Sequence, residues 1–453
     1  MDFTTANNNR QARRRIAVIG SGVSGLSAAW LLDKTADVTL YEADSRLGGH
    51  ANTFDVEMPG KAPIAVDTGF IVYNELNYPN LIALFAHLGV ATDASDMSFA
   101  ASLRAGRLEY SGSGLSGLFG QRSNLLRPQF WGMVRDVLRF YKEAPALLDD
   151  RSLEGVSLGS YLDAKGYSPC FVDDHLLPMG AAIWSTTSAD MRAYPLQAFI
   201  RFFVNHGLVQ LSGRPQWRTV KGGSREYVSR IMAQFKGKVI LNSKIAGIRR
   251  GEDGVKVLDR SGHMTIFDDV VIATHADQAL ALLADADPDE RAVLGAFDYT
   301  RNTAVLHSDE ALMPKRRNVW SSWNYLSEEN SSGTEQLCVT YWMNRLQNID
   351  DATPLFVTLN PSRPVAPQKS IATFDYAHPL FDAKALEAQK LLWNLQGRKN
   401  TWFCGAHFGS GFHEDGLQSG LAVAEALGGM KRPWSVKNES GRIFLAPRQA
   451  MAS

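Results

Sequence analysis

Two short runs of glycine and acid, one near each end of the chain, carry the clearest chemical signal. The first reads Gly20-Ser21-Gly22-Val23-Ser24-Gly25, a G-x-G-x-x-G run, with Glu42 about 20 residues on. Gly20 permits a tight turn, Gly22 lets a diphosphate approach the backbone, and Gly25 lets a helix pack closely on a strand. Glu42 can accept hydrogen bonds from both hydroxyls of a ribose, and its charge repels a 2′-phosphate. The second run reads Gly409-Ser410-Gly411-Phe412-His413-Glu414-Asp415-Gly416. One acid at a helix start is ordinary, since the macrodipole favours it by a few tenths to about 1 kcal/mol. Two adjacent acids flanked by glycines exceed what capping needs.

Each run sits where secondary structure would present it. Ile16 to Ile19 is a continuous apolar run, the pattern of a parallel strand buried on both faces. A helix follows, with Leu26, Ala29 and Trp30 on its buried face, then a second strand from Val38 to Tyr41 that ends at Glu42. The helix start offers free N–H groups and a positive dipole to phosphates. Strand, turn, helix and acid agree, so a dinucleotide site is expected. At the other end, Trp402 to Cys404 is a short strand ended by Gly405, and Leu417, Leu421, Ala424 and Leu427 recur at helical spacing. In between, Gly222-Gly223, an amphipathic helix and a strand near Val239 precede a hairpin and an apolar strand from Val270 to Ala273.

Bulk composition narrows the class. The chain has 453 residues, 45% hydrophobic, with 47 basic and 47 acidic side chains. That length argues for two or three domains, and the charge balance argues against a nucleic-acid partner. Cys170, Cys338 and Cys404 are far apart, which fits a reducing compartment. No apolar run is long enough to span a bilayer. The N-terminus is polar and then basic, with Arg13, Arg14 and Arg15, and reads as a solvated tail rather than a secretory signal. A cytoplasmic protein is expected. His407, His413 and Glu414 lie close together but do not form HExxH, so no metal is expected.

Four stretches are rich in aromatics: Pro178 to Thr186, Phe199 to Gln210, Asn318 to Leu326 and Val339 to Leu346. Most such side chains are core, but together they suggest a wide apolar pocket with few charges. Between Phe130 and Lys142, Phe130, Val134, Val137, Leu138 and Tyr141 share one helical face, and Arg135, Arg139 and Lys142 another. Two readings stand: a core helix with a solvated basic face, or a membrane-surface helix that delivers a lipid.

Just beyond Glu42, Arg46-Leu47-Gly48-Gly49-His50 adds a glycine pair that NAD dehydrogenases usually lack. It resembles the Arg-x-Gly-Gly motif of the flavoprotein superfamily of monoamine oxidases, protoporphyrinogen oxidase and phytoene desaturases, which often carry Arg where this chain has His50. The resemblance covers residues 15–430 and implies an α/β fold. A discontinuous, Rossmann-like FAD-binding domain of the glutathione-reductase type (1–75, 215–285 and 398–435) would carry a mixed α+β substrate domain (76–214 and 286–397) and a C-terminal tail (436–453). FAD would be held by Gly20, Ser21, Gly22, Ser24, Gly25, Glu42, Arg46, Gly48, Gly49 and His50. The Thr68-Gly69-Phe70 turn, the backbone of Val239, Gly405 and Gly416 would complete its site. No match to a covalent cysteine segment is found, so the FAD is expected to be non-covalent. In the superfamily the acid at the late helix start holds ribityl hydroxyls. Glu414 matches the amine-oxidase position and Asp415 that of protoporphyrinogen oxidases, and both stay open. By chain position His413, Phe412, Phe70 and Tyr73 fall near the flavin ring, with His413 the candidate acid or base.

Within the superfamily, "GFHEDGLQSGLAVAEAL" and "WSSWNY" look most like a bacterial group of FAD-binding oxidoreductases. That group is similar to the N-terminal domain of plant cyclopropane fatty acid synthases. The resemblance implies a fatty-acyl or other lipid-like substrate, hydride transfer to flavin N5, and association with a cyclopropane-synthase-like methyltransferase; the membrane-surface reading of the 130–142 helix adds peripheral membrane contact. Two other readings are an amine oxidase releasing hydrogen peroxide and a non-catalytic flavin-binding partner of a lipid methyltransferase.

Overall fold

The computed structural model describes residues 13–184, 187–329 and 335–445. Most of the expected N-terminal tail, Ser185 and Thr186 of the first aromatic stretch, and residues 446–453 lie outside them. Five parallel strands form one sheet: β1 (Arg15–Ile19), β2 (Asp37–Tyr41), β3 (Lys238–Ile240), β4 (Asp269–Ile272) and β5 (Thr401–Phe403). Their order is β3-β2-β1-β4-β5. Side chains of β1 alternate between two cores. Ile16 and Val18 join Leu26, Trp30 and Leu421, while Ala17 and Ile19 join Val255, Phe267 and Phe297. Burial on both faces is why this strand has no polar alternate. An antiparallel meander, Ile245–Gly251, Gly254–Asp259 and Met264–Phe267, connects β3 to β4.

Five helices matter for the site: α1 (Val23–Leu32), α2 (Pro79–Leu88), α3 (Pro128–Glu143), α4 (Arg225–Gln234) and α5 (His413–Gly428). Every residue of α1 is buried, which explains its apolar composition on all sides. Helices α1 and α5 touch backbone to backbone. A Cβ on Gly420 would collide with the Ser24 carbonyl and the Ser27 hydroxyl, and one on Gly416 would stand 2.8 Å from Val23 Cγ1.

A second sheet has seven strands, in the order Ser370–Pro379, Tyr299–His307, Phe356–Leu359, Glu335–Trp342, Trp323–Glu329, Phe99–Leu103 and Leu108–Ser111. All neighbours are antiparallel except Trp323–Glu329 with Phe99–Leu103. Phe130, Phe140, Phe171 and Phe199 from the helical segments share a core with Leu306, Tyr325 and Val357 of this sheet.

Several segments pack on the nucleotide sheet from outside its expected stretches. Helix α2, assigned by sequence to the substrate domain, buries Leu81, Leu84 and Phe85 in the core of α1 and β1. Val293, Leu294, Ala385 and Leu392 pack on the other face of the same sheet. The described part of the expected tail, residues 436–445, is tied down as well. Trp434, just before it, stacks on Trp30 at 6.0 Å, Arg432 pairs with Glu425 at 2.7 Å, and Ile443 is buried. In α3 the core takes Phe130, Met133 and Phe140, and leaves Leu138 and Trp131 exposed. Leu138 therefore departs from its expected face, because the i, i+3, i+7, i+10 stripe through Val137 wins over the wider one. Among the described residues no helix is long and apolar enough to cross a membrane.

Gly420→Val should force α1 and α5 apart. Overpacking of this kind costs about 1–3 kcal/mol or more. Calorimetry should show a lower melting temperature, and the purified variant should carry less flavin.

Candidate active site

The carboxyl ends of β1, β2, β4 and β5 open into one cavity of about 730 Å³. Its wall takes Ile19-Gly20, Tyr41-Glu42-Ala43, Ala273-Thr274-His275 and Gly405-Ala406, the residues at which these strands end. Open parallel sheets bind ligands at this edge. Gly20 has φ +100°, and a Cβ there would stand 2.8 Å from the Ala273 carbonyl, so glycine is required at the turn. Gly22 instead has open space before it. No side chain caps α1 and no acid stands in its first turn, so free N–H groups and a positive dipole meet the cavity at Gly22, Val23 and Ser24. Glu42 is held alongside by N–H donors from Ser21 and Asp44, both at 2.9 Å. Ser243 Oγ and His407 Nε2 are buried, belong to wall residues, and have no hydrogen-bond partner among the described residues. An uncapped helix end, open room over Gly22 and orphaned polar atoms fit a diphosphate-bridged dinucleotide such as FAD.

Ser21, Ser24, Gly49, His50, Thr68, Gly69 and Phe70 also line the cavity. Arg46, Gly48 and Gly25 act from behind the wall. The Arg46 guanidinium donates to the carbonyls of Gly49 (2.8 Å) and Ala51 (3.3 Å), which braces the loop that presents Gly49. Gly25 packs on the Gly20 carbonyl. Val239 lies within β3 opposite Leu40, and the wall there is formed by Ser243, Lys244 and Ile245 beyond the strand end. The expected backbone contact from Val239 is corrected to that segment.

The acid pair requires a larger correction. Glu414 is fully buried and accepts from the Asn80 N–H (3.0 Å), Asn80 Nδ2 (2.8 Å), the Leu81 N–H (3.0 Å) and Gln418 Nε2 (2.9 Å). It caps the start of α2. Asp415 accepts from the Phe412 N–H at 2.8 Å and pairs with Arg442 at 2.7 Å. Neither carboxylate is in the wall, nor is Gly416, which packs on Val23. A buried carboxylate needs several donors, and α2 and Arg442 supply them from outside the cavity. Burial raises both pKa values, against Gln418, Asn80 and Arg442 for Glu414, and against Arg442 and N–H donors for Asp415. The start of α5 instead presents Ser410, Gly411, Phe412 and His413 to the cavity.

Tyr73 is corrected too: it is buried edge-on against Phe85 (5.4 Å) and Tyr78 (6.1 Å), outside the wall. Phe412 stacks on Phe202 at 4.9 Å. His413 lies flat on Phe70 at 3.7 Å, with Nε2 2.9 Å from the Tyr227 hydroxyl. Burial drives the His413 pKa down to about 3, so its ring is neutral at physiological pH.

Sequence reasoning named His50 but missed two histidines that join it on the same wall, His275 and His378. His50 stands 5.5 Å from His378 and 6.4 Å from His275, with Tyr376 at 5.0 Å. Burial first, then mutual repulsion, holds the His50 pKa well below its usual value. Burial likewise takes His378 to about 4 and lowers His275. His275 could have been found, because it follows an apolar strand whose carboxyl end must face a ligand. His378 lies in a strand without any such signal. Among the described residues no group of three or more His, Cys, Asp or Glu could hold a metal ion. None of the three cysteines lines the cavity, and burial pushes the Cys404 thiol up to about 12.

Residues 23–348 match the family of flavin-containing amine oxidoreductases. The chain belongs to that family, which makes it a flavin oxidoreductase with FAD as its cofactor. Solved structures agree on the fold. A putrescine oxidase double mutant superposes with a TM-score of 0.65 at 14% identity, covering 92% of this chain and 99% of that one. A fatty acid isomerase from P. acnes gives 0.64 at 15% identity (91% and 98%). Cyclohexylamine oxidase from Brevibacterium oxydans gives 0.65 at 16% (92% and 99%). An L-amino acid oxidase from Cerastes cerastes is 44% identical over 48 residues, which span 10% of this chain and 9% of that protein.

Glu414→Ala should destabilise the fold, by about 1–3 kcal/mol for the buried N–H donors it strands, yet leave the FAD content of the surviving folded protein intact. Denaturant unfolding and flavin absorbance separate the two effects. His413 supplies a pH test. Its folded pKa lies below that of the unfolded chain, near 6.5, so only the unfolded state takes a proton as pH falls. Stability should fall as pH drops from about 6.5 toward 4, by at most about 1.4 kcal/mol per unit from this residue. His413→Gln should make that part of the pH profile, measured on the apoprotein, shallower by the share of one histidine, with His50, His275 and His378 supplying the same sign of slope.

Proposed function

We propose that the protein oxidises an apolar, fatty-acyl or other lipid-like chain, with non-covalent FAD bound on a glutathione-reductase-type domain. The half of the cavity bounded by the second sheet and its helices carries this reading. Tyr141, Met179, Trp184, Phe202, Trp323 and Tyr341 line it. The charged groups on the described wall are Glu42, Lys244, Arg260 and Arg214, and only Arg214 comes from the expected substrate segments. Arg214 is exposed, with Nε donating to the Gln210 carbonyl at 2.7 Å. An apolar tube with a cation at its rim suits a chain that ends in a carboxylate. It offers no carboxylate to a protonated amine.

When bound, FAD supplies the hydride acceptor, its N5 atom. The chain's own residues hold the substrate and exclude water. His413, uncharged and fixed between Phe70 and Tyr227, adds no charge to the wall beside an apolar chain. The fold shared with a fatty acid isomerase supports the lipid reading. A cytoplasmic setting, kinship with the bacterial proteins similar to plant cyclopropane fatty acid synthases, and a methyltransferase partner belong to the same proposal. The folds shared with putrescine and cyclohexylamine oxidases favour amine oxidation as the second reading.

Anaerobic mixing with long-chain fatty acids, their methyl esters and aliphatic amines decides between the readings. Bleaching of the flavin by the acids is expected, with Arg214→Gln raising KM about tenfold, one charge-assisted contact, and leaving kcat nearly unchanged. Bleaching by amines alone, with hydrogen peroxide on return to air, overturns the lipid reading. No bleaching by any of them, in protein that holds FAD, leaves the non-catalytic partner.

A further inference from the structure

The surface around the start of α3 has a composition that the core does not explain. Leu126 is 87% exposed, Leu115 75%, and Leu125 and Trp131 nearly half. These side chains are contiguous. Trp131 Nε1 donates to the Leu125 carbonyl at 3.0 Å, and the Phe119 ring lies 5.4 Å from the Trp131 ring. Leu115 leads the short helix Gly114–Leu118 that ends at Phe119. Residues 112–134 contain Arg122 and Arg127 and no acid, and at their edge Arg135 pairs with the buried Asp136 at 3.3 Å. Further along α3, Leu138 and Lys142 continue the exposed face at i+7 and i+11 from Trp131.

We propose that this surface docks the protein on an anionic lipid bilayer. Apolar side chains with an interfacial tryptophan, flanked in sequence by Arg122 and Arg127 and with no exposed carboxylate between residues 112 and 142, match the headgroup boundary of such a bilayer in both polarity and charge. A neutral protein partner would not call for one-signed charge. The same helix, α3, also reaches the cavity. Tyr141, on the same helix, lines it, and ten residues of helix place Tyr141 about 15 Å from Trp131. Arg214 and the exposed Leu211 stand at or beside the cavity rim. The surface stands apart from the substrate reading, since its test reads vesicle binding rather than turnover.

The FAD-loaded protein is sedimented with vesicles of phosphatidylcholine alone or mixed with phosphatidylglycerol. Binding to the mixed vesicles and little to the neutral ones is expected. Leu126→Glu should weaken it at least about tenfold, the loss of one inserted leucine, and Arg122→Glu at least about fivefold. Met264→Glu, an exposed apolar position on the meander, should change nothing. Leu126 and Arg122 are exposed, so FAD content and melting temperature should match the parent protein in both variants. The proposal fails if the parent ignores anionic vesicles, or if Met264→Glu weakens binding as much as Leu126→Glu. It also fails if Leu126→Glu turns a dimer into a monomer, which would make the patch an interface between copies.

Discussion

The backbone contact between α1 and α5 is the constraint on which the rest depends. Gly420 against the Ser24 carbonyl, and Gly416 against Val23, let two helices far apart in sequence lie side by side. Their starts then meet the same cavity, one through Gly22 to Ser24 and the other through Ser410 to His413. Each start presents uncapped or glycine-flanked backbone, which a diphosphate or a sugar chain can approach. Larger residues at either glycine would separate the helices and split one cavity into two shallow ones.

Charge explains why the acids near α5 do not join that cavity. Glu414 answers the free N–H groups of α2, and Asp415 answers Arg442. Arg432 completes the network by reaching Glu425, Asn80 and the Glu439 carbonyl. Removing Arg442 would strand the buried Asp415 charge, at about 3–5 kcal/mol. This network welds α2, α5 and the 432–443 segment onto the nucleotide sheet. Around Phe70, Phe412 and His413 the wall is left with a neutral imidazole and aromatic rings, an environment suited to an uncharged reacting carbon.

Much of the nucleotide site was legible in the sequence because backbone geometry dictates its residues. Gly20 needs positive φ, Gly22 needs empty space, and β1 needs apolar residues on both faces, so each position has few alternatives. The pairing of the first and last glycine clusters was also legible. The direction of side chains around α5 was not, since an acid at a helix start looks the same whether it meets a ligand or a neighbouring helix. His378, Tyr376 and Arg214 reach the wall through tertiary packing of segments that show no local signal. The packing of α2 was hidden for the same reason, because it is an ordinary amphipathic helix whose partner sheet cannot be read from its period.

A crystal structure of the FAD-bound protein tests the central claim most directly. The account requires the diphosphate within hydrogen-bond reach of the backbone N–H groups at Gly22 to Ser24. It also requires the flavin end beside Gly405 and the 410–413 segment, with Glu414 still on Asn80 and Leu81. A diphosphate bound away from α1, or Glu414 turned from α2 to the ribityl hydroxyls, would contradict it.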